Sequence, residues 1–499
     1  MTNDHSRRAR AGAAWLLCGG LCVALLWFYT AHNSYPFFYH TDVPAKVRQV
    51  IDGTRNFHHP LLLITATDLI SRLIGSDRTD QHVVVVGRWF SASCAALAMI
   101  AVALLVMRRA GLPGGIAAGV LAGVHPVIFQ SAHEMKEDCA VLLGIVWAFY
   151  ALDVFCVREQ RSALVAAGVA CGVAVSAKYI GVLILITAAV VVAIQSQRAR
   201  DNVITRLFVL FAAAAVTFAL INFQALLHPA SAFTAAASEF EHMRYIGTAH
   251  LFQTNYLPKV VRRAGVPMLI ALGVFVWRLI MRGRRAVIEW AILGFGAAWM
   301  CALSFTPLSK DRYLIPILTL FIALGVVGLR WLLEWSGARM PRLPQLSILL
   351  VCCAGLAAVY LPKTFAAEGE FSIDSRKRMI AWIRQTLPAD AIVAHEWRIW
   401  PPADATGVNG DFSIPQKRIE APRFASDFKS IENLRALGAT HVVVLGKFYR
   451  DLLEGAEVVP VRADPEFYWA LNERAKLVWQ AERGQNLYIH PGLAVYQLQ

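Results

Sequence analysis

The chain has 499 residues, of which 57% are hydrophobic and only 16% charged, and its mean hydropathy is +0.49. That is too apolar for a water-soluble chain of this length, so lipid has to be its main solvent. A formal net charge of +14 would suit a nucleic-acid partner, but the Lys and Arg residues cluster between apolar stretches, as in the cytoplasmic loops that orient membrane proteins, and nucleic-acid binding is set aside.

A bilayer core of about 30 Å takes roughly 20 apolar residues per helix. Such stretches fall at 13–31, 82–107, 113–130, 139–157, 162–177, 180–195, 203–227, 265–281, 286–305, 313–331 and 345–362, which predicts a polytopic α-helical membrane protein of about eleven transmembrane helices. The first stretch has a basic flank like a signal peptide, yet it is long enough to span and has no obvious small-residue cleavage site, so it counts as helix one. All nine cysteines lie in or at the ends of apolar stretches and read as small hydrophobes, not as a disulfide framework.

With the N-terminus in the cytoplasm, alternating sides sends every basic cluster there: Arg7, Arg8 and Arg10; Arg108 and Arg109; Arg158 and Arg161; Arg198, Arg200 and Arg206; Arg282, Arg284 and Arg285; Arg330, Arg339 and Arg342. The other side receives two long loops, Asn33 to Gln81 and His228 to Ala264, short loops near His133, Lys178 and Lys310, and everything after Pro362. Within the first loop, Leu61 to Ile74 is apolar but interrupted by Asp68 and Arg72. It is too short and polar to span, and reads as an amphipathic interfacial helix.

Two domains follow: 1–362 in the membrane and 363–499 as a soluble α/β unit. The second is expected to contain a helix at Arg376–Gln385, a strand at Ala391–Ala394, a helix at Lys429–Leu437 and strands at His441–Leu445, Leu477–Gln480 and Ala494–Leu498. It carries no glycine-rich phosphate loop or metal-ligand spacing, and reads as a positioning or acceptor-binding unit.

The ionisable residues that the charge bias leaves unexplained gather on the non-cytoplasmic face. Asp42, a few residues beyond helix one, could act as a general base or hold a cation beside a headgroup; it could equally be a solvated loop acid or helix cap. The loop His133-Glu134-Met135-Lys136-Glu137-Asp138 brings three carboxylates and a histidine to the same face. Its members, with Asp42, could hold a divalent metal or raise one acid's pKa, or simply form a wet helix start near the positive end of its dipole. His58 and His59, Lys178-Tyr179, and Lys310-Asp311-Arg312-Tyr313 add basic groups against the charge bias. Any one of them could be snorkelling to headgroups, but the set favours a phosphate-bearing ligand.

In these residues the chain resembles the GT-C superfamily of polytopic glycosyltransferases that use lipid-phosphate-linked sugars. Within it, the chain looks most like the branch of protein O-mannosyltransferases and the lipid A aminoarabinose transferase. The likeness runs through the acid after helix one, His58-His59-Pro60-Leu61, Gly87-Arg88-Trp89, the loop ending in Asp138, Lys178-Tyr179-Ile180-Gly181 and Lys310 to Pro316, in the family's order. The chain departs from the pattern where Val43 follows Asp42 in place of a second acid, and where the histidine pair replaces a lysine with two prolines.

The resemblance implies that Asp42 is the catalytic acid-base residue, with Asp138 and Glu137 as the second-loop acids. Lys178, Lys310 and Arg312 would contact the donor phosphate, and His59 would sit in the donor-side loop; His58, Tyr179 and Tyr313 join them as candidate substrate contacts. It implies an inverting transfer of a hexosyl or pentosyl group from a polyprenyl-phosphate sugar to a hydroxyl of a lipid, glycan or protein, on the extracytoplasmic face of a cell (inner or plasma) membrane. The cofactor stays open: a divalent cation, Mg or Mn, is one option, and if there is a metal its ligands would come from Asp42, His133, Glu137 and Asp138. A transporter or flippase would place its charges mid-span instead. A polysaccharide ligase or polymerase would share the donor and would need 228–264 as its long central loop.

Overall fold

The computed structural model describes residues 2–75, 77–245, 256–282, 286–304, 310–336, 342–408, 412–446, 463–484 and 489–498. Arg284, Arg285 and Arg339 of the basic clusters lie outside them. The described chain forms two compact units. One comprises Met1–Ala31, Asp52–Gly75 and Val85–Thr364; the other comprises His32–Ile51, Ser76–Val84 and Phe365–Gln499.

The first unit is helical, and the chain is a multi-pass membrane protein. Among the described residues eight helices are long and apolar enough to cross a bilayer, or nine if the bent pair Tyr256–Ala264 and Val266–Met281 forms one span. The expected number of about eleven is therefore not established, and the difference lies in three places. One helix runs from Asp80 to Gly123 through a break at Gly111, where φ is +73°, a conformation that costs glycine little. The helix Arg161–Ala177 has 17 residues. The pair at Gly265 bends by 102°.

Other boundaries moved for identifiable reasons. The stretch read as 113–130 breaks after Gly123, because His125 caps a new helix, Pro126–Ala132, by accepting the Val127 N–H at 3.3 Å. The stretch read as 203–227 turns at Asn222, which is buried and hydrogen-bonded across the bundle. The last long helix, Arg342–Ser372, continues through Pro362, where the sequence suggested an end. The interfacial segment is a helix, Leu62–Leu73, whose Asp68 is answered by Arg72 at 3.0 Å and Arg55 at 3.7 Å.

Lipid offers no hydrophobic drive between helices, so close approach of small residues does the packing. A Cβ on Gly144 of Asp138–Arg158 would lie 2.6 Å from the Ala170 carbonyl of Arg161–Ala177, and one on Gly168 would lie 2.6 Å from the Leu210 carbonyl of Val203–Ile221. The Arg108–Arg109 cluster is also spent inside the bundle. Arg109 bridges Asp153 and Glu289, each at 2.8 Å, and Arg108 pairs with Asp153, joining three helices.

The second unit is built on a five-stranded sheet: β1 (Ile392–His395), β2 (Lys417–Glu420), β3 (His441–Leu445), β4 (Ala475–Arg483) and β5 (Pro491–Leu498) in the order β2-β1-β3-β5-β4. β2, β1 and β3 are parallel; β5 runs antiparallel to β3, and β4 to β5. The expected strands at 391–394, 441–445, 477–480 and 494–498 and helices at 376–385 and 429–437 each fall on an element. The strand β2 and the helix Pro465–Arg474 were not foreseen. β2 is mostly exposed and carries two cations and an acid in four residues, so it has no apolar alternation to reveal it. Phe424, Val442, Val444, Phe467, Tyr468 and Leu471 fill the core.

First-loop segments belong to this same unit. Phe38 meets Phe412 edge-on at 5.4 Å, Arg48 pairs with Asp404 and stands 3.8 Å from Asp80, and Asp80 accepts the Thr406 N–H at 2.7 Å.

Candidate active site

Within the first unit, three chain segments meet at Asp138, the first residue of helix Asp138–Arg158. Lys178, which ends helix Arg161–Ala177, donates to Asp138 Oδ1 at 2.5 Å, and Arg312 Nε lies 3.7 Å from Oδ2. The Tyr313 ring supports both cations: Lys178 Nζ lies 4.8 Å from its centroid and the Arg312 guanidinium 5.5 Å. Asp138 and Lys178 side chains are 5% and 18% exposed. Burial works most strongly against the Lys178 charge, but Asp138, Tyr313 and Glu137 together outweigh it and hold the ammonium pKa above its ordinary value. Glu137 is buried beside Asp138 in the chain.

A charged cluster in a membrane bundle persists only where its charges are answered. Here Lys178 and Arg312 converge on Asp138, and the buried Glu137 beside it adds a second carboxylate to the group. Asp311, next to Arg312, takes Lys259 at 3.6 Å and Arg263 as partners. These two residues lie on helix Tyr256–Ala264, inside what the sequence suggested was a loop. The signal was present: apolar Leu257, Val260, Val261 and Ala264 alternate with Lys259, Arg262 and Arg263 at helical spacing.

The histidine-proline segment is tied down nearby in the chain's contacts. Tyr179 donates to the Phe57 carbonyl at 3.0 Å, and the Leu61 N–H donates to Asn222 Oδ1 at 2.7 Å, whose amide donates to Ser176 at 2.9 Å. Asn222 is thus a positioning residue that charge-based reading missed; a lone buried amide near the end of an apolar stretch was its only trace. His58 stands 4.0 Å from Glu239, and His59 is half-buried. Lys310 is exposed, its carbonyl accepting the Tyr313 N–H at 3.1 Å.

His133 is buried with Nδ1 2.9 Å from the Phe129 carbonyl and Nε2 3.1 Å from the Ala31 carbonyl, so both ring nitrogens face backbone oxygens. The ring is therefore held by the backbone on both nitrogen edges, and Asp138 is engaged by two cations. Among the described residues no three His, Cys, Asp or Glu side chains converge as a metal-holding group. Gly87 lets its helix approach this loop, since a Cβ there would meet Met135 Cγ at 2.5 Å. Arg88, beside it, is 1% exposed.

Asp42 belongs to the second unit. It precedes helix Val43–Asp52, its side chain is 49% exposed, Thr41 donates to its Oδ1 at 2.9 Å, and its own N–H donates to His40 Nδ1 at 3.1 Å. In the same unit Glu396 is fully buried at the end of β1, accepting from the Tyr468 hydroxyl at 2.5 Å, the Leu445 N–H at 2.7 Å and the Ala425 N–H at 3.1 Å. Burial pushes its carboxyl up to about 7, against the pull of those hydrogen bonds.

Residues 58–225 match the protein family described as Dolichyl-phosphate-mannose-protein mannosyltransferase, about a third of the chain. The structure of ArnT from Cupriavidus metallidurans bound to undecaprenyl phosphate is similar at a TM-score of 0.54 and 14% identity, covering 96% of this chain and 97% of that one. ArnT from the same organism in the apo state gives 0.51 and 14%, over 97% and 98%. The Archaeoglobus fulgidus oligosaccharyltransferase AglB gives 0.49 and 13%, over 93% and 73%. No curated protein sequence matches the chain.

Over nearly its whole length the chain thus shares the fold of ArnT, a multi-pass membrane architecture, and the family match falls on residues 58–225 within it.

Proposed function

We propose that the enzyme moves a sugar from a polyprenyl-phosphate donor to an acceptor hydroxyl, with inversion, on the extracytoplasmic side of the membrane. The observation that carries this reading is the convergence of Lys178 and Arg312 on Asp138, buried at the end of a bundle helix. The ArnT structure with undecaprenyl phosphate supports the same donor class. The orientation rests on the basic clusters, and the soluble domain takes in first-loop segments as well as the chain beyond Thr364.

Chemically the transfer needs two things: a base to take the acceptor's proton, and cations to stabilise charge growing on the departing phosphate. Lys178 and Arg312 are the cations. Asp138 holds them in place in the resting enzyme, which lowers the entropy lost when phosphate arrives. Lys310, His58, His59, Tyr179 and Tyr313 complete the donor contacts. Asp42 is the base. It is accessible, and as the acceptor hydroxyl attacks the anomeric carbon it takes the proton while the sugar–phosphate bond breaks with its electron pair leaving on phosphate. Glu137 and Asp138 set the charge balance around the cations.

The test is binding of undecaprenyl phosphate to the full-length protein in nanodiscs. Lys178→Ala and Arg312→Ala should each weaken it by about tenfold to a hundredfold, the value of a charge-assisted hydrogen bond. Unchanged binding in both would remove the clamp.

A further inference from the structure

The loop leading into Asp42 is held by two arginines of the second unit, Arg398 and Arg376. Arg398, three residues past β1, donates from its guanidinium to the Thr41 carbonyl at 2.9 Å, immediately before Asp42. Its own backbone is fixed at both ends. Its N–H is bonded to Glu420 at the end of β2, and its carbonyl accepts from Arg376 Nε at 3.3 Å. Arg376 is 3% exposed and lies 4.1 Å over the Tyr39 ring, while Tyr39 donates to Asp374. The Arg398 guanidinium is itself stacked 3.6 Å over Trp397.

Arg398 also holds φ at +68°. For a residue with a Cβ this left-handed conformation costs of order 1 kcal/mol, and it persists where the surroundings over-determine it. A long, exposed-type side chain with many rotamers has been made rigid by stacking and aimed at one carbonyl.

We propose that Arg398 is a positioning residue for Asp42, so that the sheet of the second unit sets the direction of the catalytic carboxylate. This rests on Asp42 being the base. It gives the soluble unit a part in the chemical step itself, beyond holding an acceptor. Arg376 and Tyr39 form the second hold on the same loop.

The experiment uses the full-length enzyme in nanodiscs with a radiolabelled polyprenyl-phosphate sugar. Arg398→Gly removes the guanidinium while suiting the backbone at φ +68°, so thermal stability should not fall. Its kcat should drop by about tenfold to a hundredfold, the usual cost of a misplaced catalytic group, with donor affinity unchanged. Arg398→Lys, which keeps the charge, should recover part of the loss. In an Asp42→Asn background, Arg398→Gly should cost nothing further, because its effect passes through Asp42. Wild-type turnover in Arg398→Gly beside an inactive Asp42→Asn overturns the positioning role alone, as does an additive loss in the double variant. Normal turnover in Asp42→Asn overturns the base reading and this inference together.

Discussion

Lys178 donates to Asp138 at 2.5 Å while Arg312 stands 3.7 Å from the other carboxylate oxygen, so a single acid holds two cations from distant parts of the chain. Removing the acid alone leaves both cations buried and deprived of its charge. Asp138→Ala should therefore cost about 3–5 kcal/mol of stability, and adding Lys178→Ala should give part of it back. Thermal unfolding of the single and double variants reads this; strictly additive losses would mean the pair is not coupled.

Asp42 differs from Asp138 in being half-exposed, with the His40 ring nitrogen 4.0 Å from its carboxylate where Asp138 has an ammonium and a guanidinium. Asp42→Asn keeps the shape and removes the proton-accepting charge. Turnover should fall by roughly two to four orders of magnitude with folding and donor binding nearly intact. Turnover close to wild type at saturating donor and acceptor would move the base role to Glu137 or Asp138.

The buried Glu396 makes the second unit sensitive to pH. Its carboxyl sits at about 7 in the fold, against roughly 4.3 in an unfolded chain. The folded state thus holds a proton that the unfolded state has lost, so stability falls as pH rises from about 4.3 to about 7 and levels off above it. Glu396→Gln should flatten that slope. Amide hydrogen exchange of β1 and β3 in the full-length protein, followed across this range, would show it; an unchanged slope would place the titration elsewhere.

Topology gives a further test. Single cysteines in 33–51 and after residue 374, in a cysteine-free background, should label from the same, non-cytoplasmic side, since the basic clusters demand it. Labelling from opposite faces would break the alternation on which the orientation rests.

Much of this was legible in the sequence because lipid imposes a simple rule: a run of apolar residues becomes a helix. The eleven apolar stretches fall largely on helix among the described residues, and Asp138, Lys178 and Arg312 stood out because the charge bias of the loops does not explain them. What the sequence could not supply was geometry fixed by backbone and neutral groups. The break at Gly111, the cap at His125 and the buried Asn222 leave almost no hydropathy trace. His133 was open to either a metal-holding or a helix-start reading, and the structure sets both its nitrogens against backbone carbonyls, a placement no spacing encodes. Arg398 and Arg376 looked like ordinary soluble-domain cations; only the pairing of Thr41 and Tyr39 with residues more than 300 positions away gives them a role.

The most direct test of the central claim is to give the purified enzyme a panel of radiolabelled polyprenyl-phosphate sugars and follow release of the free polyprenyl phosphate. At least one donor should be consumed in the wild-type protein, and its consumption should be lost in Asp42→Asn and sharply reduced in Lys178→Ala. If no lipid-phosphate sugar is consumed under any acceptor, or if consumption is indifferent to Lys178 and Arg312, these residues do not form a phosphate clamp serving sugar transfer.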